Sequence, residues 1–88
     1  MARSFRKIAD DMVDLQAKKN NDYDNAFAKS MDKYGLVVGL VRIGDKVNRL
    51  DGLFRNGTAQ VKDESMIDTL TDLAAYALMM VEWIEGKE

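Results

Sequence analysis

Nine consecutive apolar residues, Leu73 to Val81, set the terms for this fold. Wound as a helix they point in every direction, and a helix apolar all round belongs inside a core. The run is too short for a membrane span, which takes about 20 apolar residues. The chain has only 88 residues, one domain with a thin core, since a chain of this size buries only about 60% of its unfolded surface. Three short partner helices can hardly enclose a fourth of this kind. Two or more copies packed through it would, so the sequence predicts a homo-oligomer.

The rest of the chain reads as helices that lead up to it. Phe5, Ile8, Met12 and Leu15 recur at helical spacing and predict an amphipathic helix over about 4–19, with Lys18 and Lys19 suiting its C-terminal end. Asn20-Asn21-Asp22 then reads as a break, and Asp24 as the cap of a short helix to about Tyr34, closed by Gly35. From 36 to 54, Leu36, Leu40, Ile43, Val47, Leu50 and Phe54 fall within roughly 80° of a helical wheel. Gly39 and Gly44 each cost about 1 kcal/mol inside that helix, which points to close packing against a neighbour. Asn56-Gly57 is a stop, 58–62 a connector, and Asp63 a cap for a last helix to about Ile84. The prediction is one all-α domain over 1–88: a small bundle whose centre is an antiparallel hairpin of 36–54 against 64–84. Phe5, Phe27, Tyr34, Phe54 and Tyr76 lie on apolar faces and read as core, and Trp83 as a packing or oligomer contact.

Composition narrows the chemistry. The chain has no proline, cysteine or histidine. Disulfides, thiolate chemistry, nucleophile–histidine sites and the usual zinc ligand sets are therefore excluded. Catalysis would have to rest on carboxylates, Lys, Arg, Tyr or an oxygen-bound hard metal. Thirteen basic residues against 15 acidic ones give a net charge of −2, which weakens a nucleic-acid reading. The N-terminal residues lead into an amphipathic stretch with no apolar signal core, so a cytoplasmic protein without a membrane segment is expected.

On the last helix, Glu64, Asp68 and Asp72 recur at i, i+4, i+8 and form one acidic ridge that runs on into Ala75 and Met79. Like charges at this spacing repel, so something positive must face them. Either a divalent cation or basic side chains from the preceding helix would serve. That helix carries Arg42, Asp45, Lys46 and Arg49 on the side away from its apolar stripe. In a hairpin, Asp45 could join the ridge around Mg²⁺, with Lys46, Arg42 and Arg49 gripping phosphates. The plain alternatives are a helix-dipole role for Glu64, an Asp45–Arg49 pair, and an ion pair between Asp68 and Arg42 or Arg49. Asp72, flanked by apolar residues on both sides, is the strongest candidate for a site role. Tyr23, in the polar run 20–25, could stack on a base or pin the loop.

Asn21-Asp22-Tyr23, Val41-Arg42-Ile43-Gly44-Asp45-Lys46 with Arg49-Leu50, Asp63-Glu64-Ser65, Asp68-Thr69-Leu70 and Asp72-Leu73-Ala74-Ala75-Tyr76-Ala77 together resemble the nucleotide-modification-associated domain of phage and bacterial proteins, over about residues 15–80. That domain is in turn similar to the MazG-like all-α nucleoside triphosphate pyrophosphatases. The resemblance implies a helical bundle assembling as dimers or tetramers. It also implies Mg²⁺-dependent cleavage of a nucleoside triphosphate to monophosphate and pyrophosphate. MazG-like enzymes carry E-x-x-E on the first hairpin helix and E-x-x-D on the second. Here Asp45 stands alone, Arg42 occupies the second acidic position, and Asp68 and Asp72 are spaced i, i+4. Fewer carboxylates mean weaker metal binding, or one metal in place of two.

The expected function is therefore a Mg²⁺-dependent nucleotide pyrophosphohydrolase, with Mn²⁺ as a possible substitute. Asp45, Glu64, Asp68 and Asp72 would hold the metal, and Asp45, Asp68 and Asp72 would be the catalytic acids. Lys46, Arg49 and Arg42 would bind phosphates, and Lys19, Asp22 and Tyr23 the nucleoside end. The partners expected are a nucleotide and one or three further copies of the chain, in a homodimer or homotetramer. The alternatives are a non-catalytic nucleotide-binding module and a structural helical oligomer or adaptor.

Overall fold

The computed structural model describes residues 2–56 and 59–87, with the side chains of 59–64 left out. Among the described residues the chain is all-helical: α1 (Phe5–Asp22), α2 (Ala26–Tyr34), α3 (Val37–Asn56) and α4 (Ala59–Gly86). Ser4 caps α1, its hydroxyl accepting from the Lys7 amide at 3.1 Å. No helix of the described residues is long and apolar enough to cross a membrane.

The α1–α2 junction departs from the sequence reading. Asn20-Asn21-Asp22 does not break α1 but forms its last turn. The Asn25 amide donates to the Asn20 carbonyl at 2.8 Å and the Asp24 amide to Asn21 at 3.4 Å, with Asp24 left-handed at φ 56°. That is the six-to-one and five-to-two pairing that closes many helices. Asn and Asp tolerate the left-handed region better than other non-glycine residues, so the polar run ends the helix by curling it. Asn25 (φ 54°) caps α2 without a side-chain hydrogen bond, and Asp24 instead takes an ion pair from Lys29 at 2.5 Å. Gly35, at φ 89°, turns the chain out of α2 where a side chain would be strained.

α3 stops at Asn56, as the Asn56-Gly57 signal predicts. The expected connector over 58–62 is mostly helix. Thr58 lies outside the described residues, but α4 starts at Ala59, and Asp63 sits inside the helix rather than at its cap. Nothing after Gly57 resists helix: Ala, Gln and Lys all propagate one well. At about 1.5 Å per residue the 28 residues of α4 reach about 42 Å. This equals the longest dimension of the chain. α4 is the axle of the fold.

α3 packs on α4 most extensively, while α2 rests on α3 and α1 on α4. Along the α3/α4 seam Gly39 faces Met80, Lys46 faces Asp72, and Arg49 faces Thr69. Met12, Met31, Gly39, Thr69 and Ala75 are the fully buried residues among those described. So small a core leaves much apolar surface outside. Ile67, Leu70, Ala74, Leu78 and Val81 are all exposed and line up on one side of α4 at helical spacing. α3 turns its mixed, Arg- and Lys-bearing side to α4, leaving Leu40 (64% exposed), Val47 and Phe54 of its apolar stripe in solvent. Phe5, Tyr34 and Phe54, expected in the core, are exposed in the single chain. Phe27 and Tyr76 do pack together, ring edge to face, with centroids 4.9 Å apart.

Candidate functional site

Lys19 on α1, Tyr23 just after it, Phe27 on α2, Arg42 and Lys46 on α3, and Asp72 and Tyr76 on α4 surround a cleft of about 410 Å³. This lies within the roughly 300–1,000 Å³ typical of small-molecule sites. Its lining combines two chemistries. Asp72 bridges two cations: Lys46 Nζ lies 3.3 Å from one carboxylate oxygen and Lys19 Nζ 3.8 Å from the other. All three side chains are partly exposed, Lys46 at 26% and Asp72 at 28%, so their charges are screened but not bulk-like. Arg42 lines the same cleft with no ion-pair partner among the described residues. The same cleft is lined by the Phe27–Tyr76 pair, by Tyr23, and by Asn20, whose amide meets the Met79 sulfur at 3.7 Å. Cations together with aromatic faces and an amide can recognise a molecule that carries both an anionic group and a flat ring.

A second cleft of about 370 Å³ lies on the far side of Lys19 and Asp72, bordered by Arg3, Asp11, Asp68 and Thr71. Arg3 and Lys7 both bind Asp11, at 3.0 and 2.6 Å. The Lys7 hydrogen bond, and then that of Arg3, hold this carboxyl below its ordinary range.

The residues singled out in the sequence thus separate into groups. Lys19, Tyr23, Arg42, Lys46 and Asp72 come together. Asp22 is exposed at the end of α1 and does not line the cleft. Asp68 faces the second cleft only, and Asp45 is exposed and borders neither. Arg49 is engaged elsewhere: its Nε donates at 3.1 Å to the hydroxyl of Thr69, which in turn donates to the Ser65 carbonyl at 2.6 Å. Glu64 lies outside the described side chains. Of the expected metal ligands, Asp45, Asp68 and Asp72 do not come together among the described residues. Among the described residues no three of His, Cys, Asp or Glu stand close enough to hold a cation, and both Asp72 oxygens face ammonium groups. Basic side chains, the other partner the acidic ridge allowed, are what Asp72 meets.

Asn20, Phe27 and Tyr76 line the cleft but carry no charge and went unmarked as site residues in the sequence. Spacing held a usable signal for Tyr76, which sits four residues after Asp72 and so shares its side of α4.

Residues 19–82 match the family described as nucleotide modification associated domain 1. Neither a curated protein nor a solved structure matches the chain.

Proposed function

This chain belongs to the nucleotide modification associated domain 1 family, and from that premise we propose that it binds a nucleoside phosphate in the larger cleft. One observation carries the reading. Lys19, Arg42 and Lys46, from two different helices, line one cleft together with Phe27, Tyr76 and Tyr23. Phosphate oxygens would take the two ammonium groups and the Arg42 fork, and the base would lie against Tyr76, Phe27 and Tyr23. The working unit is an oligomer, a dimer or tetramer, built on an antiparallel α3/α4 hairpin. The reversed order of the seam pairs supports the hairpin: 39 with 80, 46 with 72, 49 with 69. The outward apolar stripes of α3 and α4 support the oligomer.

Calorimetric titration with nucleoside mono-, di- and triphosphates tests the binding. Affinity should rise with phosphate number and fall about tenfold or more in Arg42→Ala and Lys46→Ala, since a hydrogen bond to a charged group contributes roughly 1.5–3 kcal/mol. Equal affinity in both variants would sink the assignment.

The second reading is hydrolysis of a triphosphate to monophosphate and pyrophosphate, as the likeness to MazG-like enzymes implies. Asp68 and Asp72, on successive turns of α4 beside Lys19, are what favour it. Mg²⁺ would then have to enter on the substrate's own phosphates or find further carboxylates, Glu64 or those of a second copy. Separating products after incubation with Mg²⁺, Mn²⁺ or EDTA decides it. Intact nucleotide in all three leaves a binding module.

A further inference from the structure

Asp72 occupies the position between Lys19 and Lys46 that an anionic ligand would need. One oxygen faces each ammonium group, 3.8 and 3.3 Å away, and the two lysines come from different helices. A carboxylate tying two cations together in this way offers what a phosphate group also offers them, a negative charge and an acceptor oxygen for each. We propose that Asp72 is an internal stand-in for the ligand's phosphate: it holds Lys19 and Lys46 in place while the cleft is empty, and the ligand displaces it on binding. The inference rests on the nucleoside-phosphate reading and adds a regulatory role for one residue of that site.

Three observations carry it. First, Asp72 borders both clefts, so a side-chain rotation takes its carboxylate from the ligand side to the far side without moving α4. Second, the bridge is partly exposed, with Lys19 at 41%, Lys46 at 26% and Asp72 at 28%. Ion pairs of that exposure are weak, and a weak pair is one that a ligand can break. Third, a phosphate group carries a charge of about −1.5 to −2 and three acceptor oxygens, against one charge and two oxygens for the carboxylate. The ligand therefore wins the exchange at sufficient concentration, and Asp72 sets how much is sufficient. Arg42, which lines the same cleft without an ion-pair partner among the described residues, adds a third cation for the ligand.

A metal-ligand role and a stand-in role predict opposite effects of removing the charge. Inorganic pyrophosphate is the probe, titrated by calorimetry into the full chain in EDTA and again in Mg²⁺. If Asp72 competes with phosphate, Asp72→Asn binds pyrophosphate about tenfold or more tighter than the unmodified chain in EDTA, and the gain persists in Mg²⁺. Unchanged or weaker binding by Asp72→Asn in EDTA overturns the stand-in, as does a loss of binding confined to Mg²⁺. A second measurement needs no variant. The carboxyl ¹³C resonance of Asp72 in the unmodified chain should shift on saturation with pyrophosphate, as the carboxylate leaves its lysines. A resonance that stays put while pyrophosphate binds also overturns it. The two readings fail separately: binding of pyrophosphate without tightening in Asp72→Asn removes the stand-in alone, whereas no binding of pyrophosphate or any nucleotide by either protein removes both.

Discussion

Met80 fills the space in which a Gly39 side chain would stand: a Cβ built at position 39 would lie 2.5 Å from the Met80 sulfur and 2.7 Å from its Cγ. α3 and α4 pack tightly here, with no room left for a side chain unless Met80 moves. Gly44, five residues along the same helix, has nothing within 4 Å of such a Cβ.

The two glycines should therefore respond oppositely to alanine. At position 44 the gain in helix propensity, about 1 kcal/mol, is unopposed. At position 39 the same gain is offset by forcing Met80 aside, and overpacking of this kind costs about 1–3 kcal/mol. Thermal melts should show Gly44→Ala at or above the unmodified chain and Gly39→Ala below it. Stabilisation by Gly39→Ala would mean that Met80 vacates the contact freely.

From the sequence both glycines looked alike, because spacing marks a helical face and says nothing about what lies opposite it. The helices themselves were legible, since apolar periodicity in a proline-free chain leaves few other solutions. Two boundaries were not. The Asn20–Asp22 run ends α1 by a closing turn whose hydrogen bonds no composition rule reveals, and Asp63 resembles a cap although four helix-tolerant residues precede it. At the site, Lys46, Arg42, Lys19 and Tyr23 could be named from charge and position. The partner of Asp72 could not, because a metal and a pair of lysines answer an acidic ridge equally well until the helices are docked.

The exposed stripes predict assembly. Light scattering should give two or four times the 9.9 kDa chain mass. Leu78 and Leu40 are 55% and 64% exposed, so an Asp at either place need not disturb the single chain. Leu78→Asp and Leu40→Asp should lower the mass towards that of one chain while helical circular dichroism persists. A monomer at micromolar concentration before any substitution would refute the oligomer.

Acid should loosen the contact between α2 and the far end of α4. The indole N–H of Trp83 donates to Asp32 at 2.8 Å, and Lys87 reaches the same oxygen at 3.4 Å while lying over the indole ring. The Trp83 hydrogen bond, followed by that of Lys87, holds the Asp32 carboxyl below its ordinary range. A depressed carboxyl contributes stability that is present above its unfolded pKa, about 3.9, and lost as pH falls through the lower folded value. Trp83 is the sole tryptophan, so its fluorescence reports this contact alone. Emission should hold steady from neutral pH to about 4 and change only below that. Asp32→Asn should remove the transition, and a change centred near neutrality would assign the signal to another group.

Arg49 provides the sharpest separation of a structural role from a ligand role. In the sequence it stood with Lys46 as a phosphate binder, yet in the fold it donates to the buried Thr69 hydroxyl and lies outside the cleft lining. If that hydrogen bond is its purpose, Arg49→Ala and Thr69→Val should each destabilise the chain by about 1 kcal/mol, the usual net worth of one such bond. The double variant should then cost clearly less than the two together, because both singles remove the same interaction. Neither should alter nucleotide affinity. A phosphate-binding Arg49 gives a different pattern: Arg49→Ala weakens binding about tenfold or more, Thr69→Val leaves the guanidinium free and does not, and their effects on stability simply add. Denaturant melts and calorimetry on the three variants distinguish the two patterns.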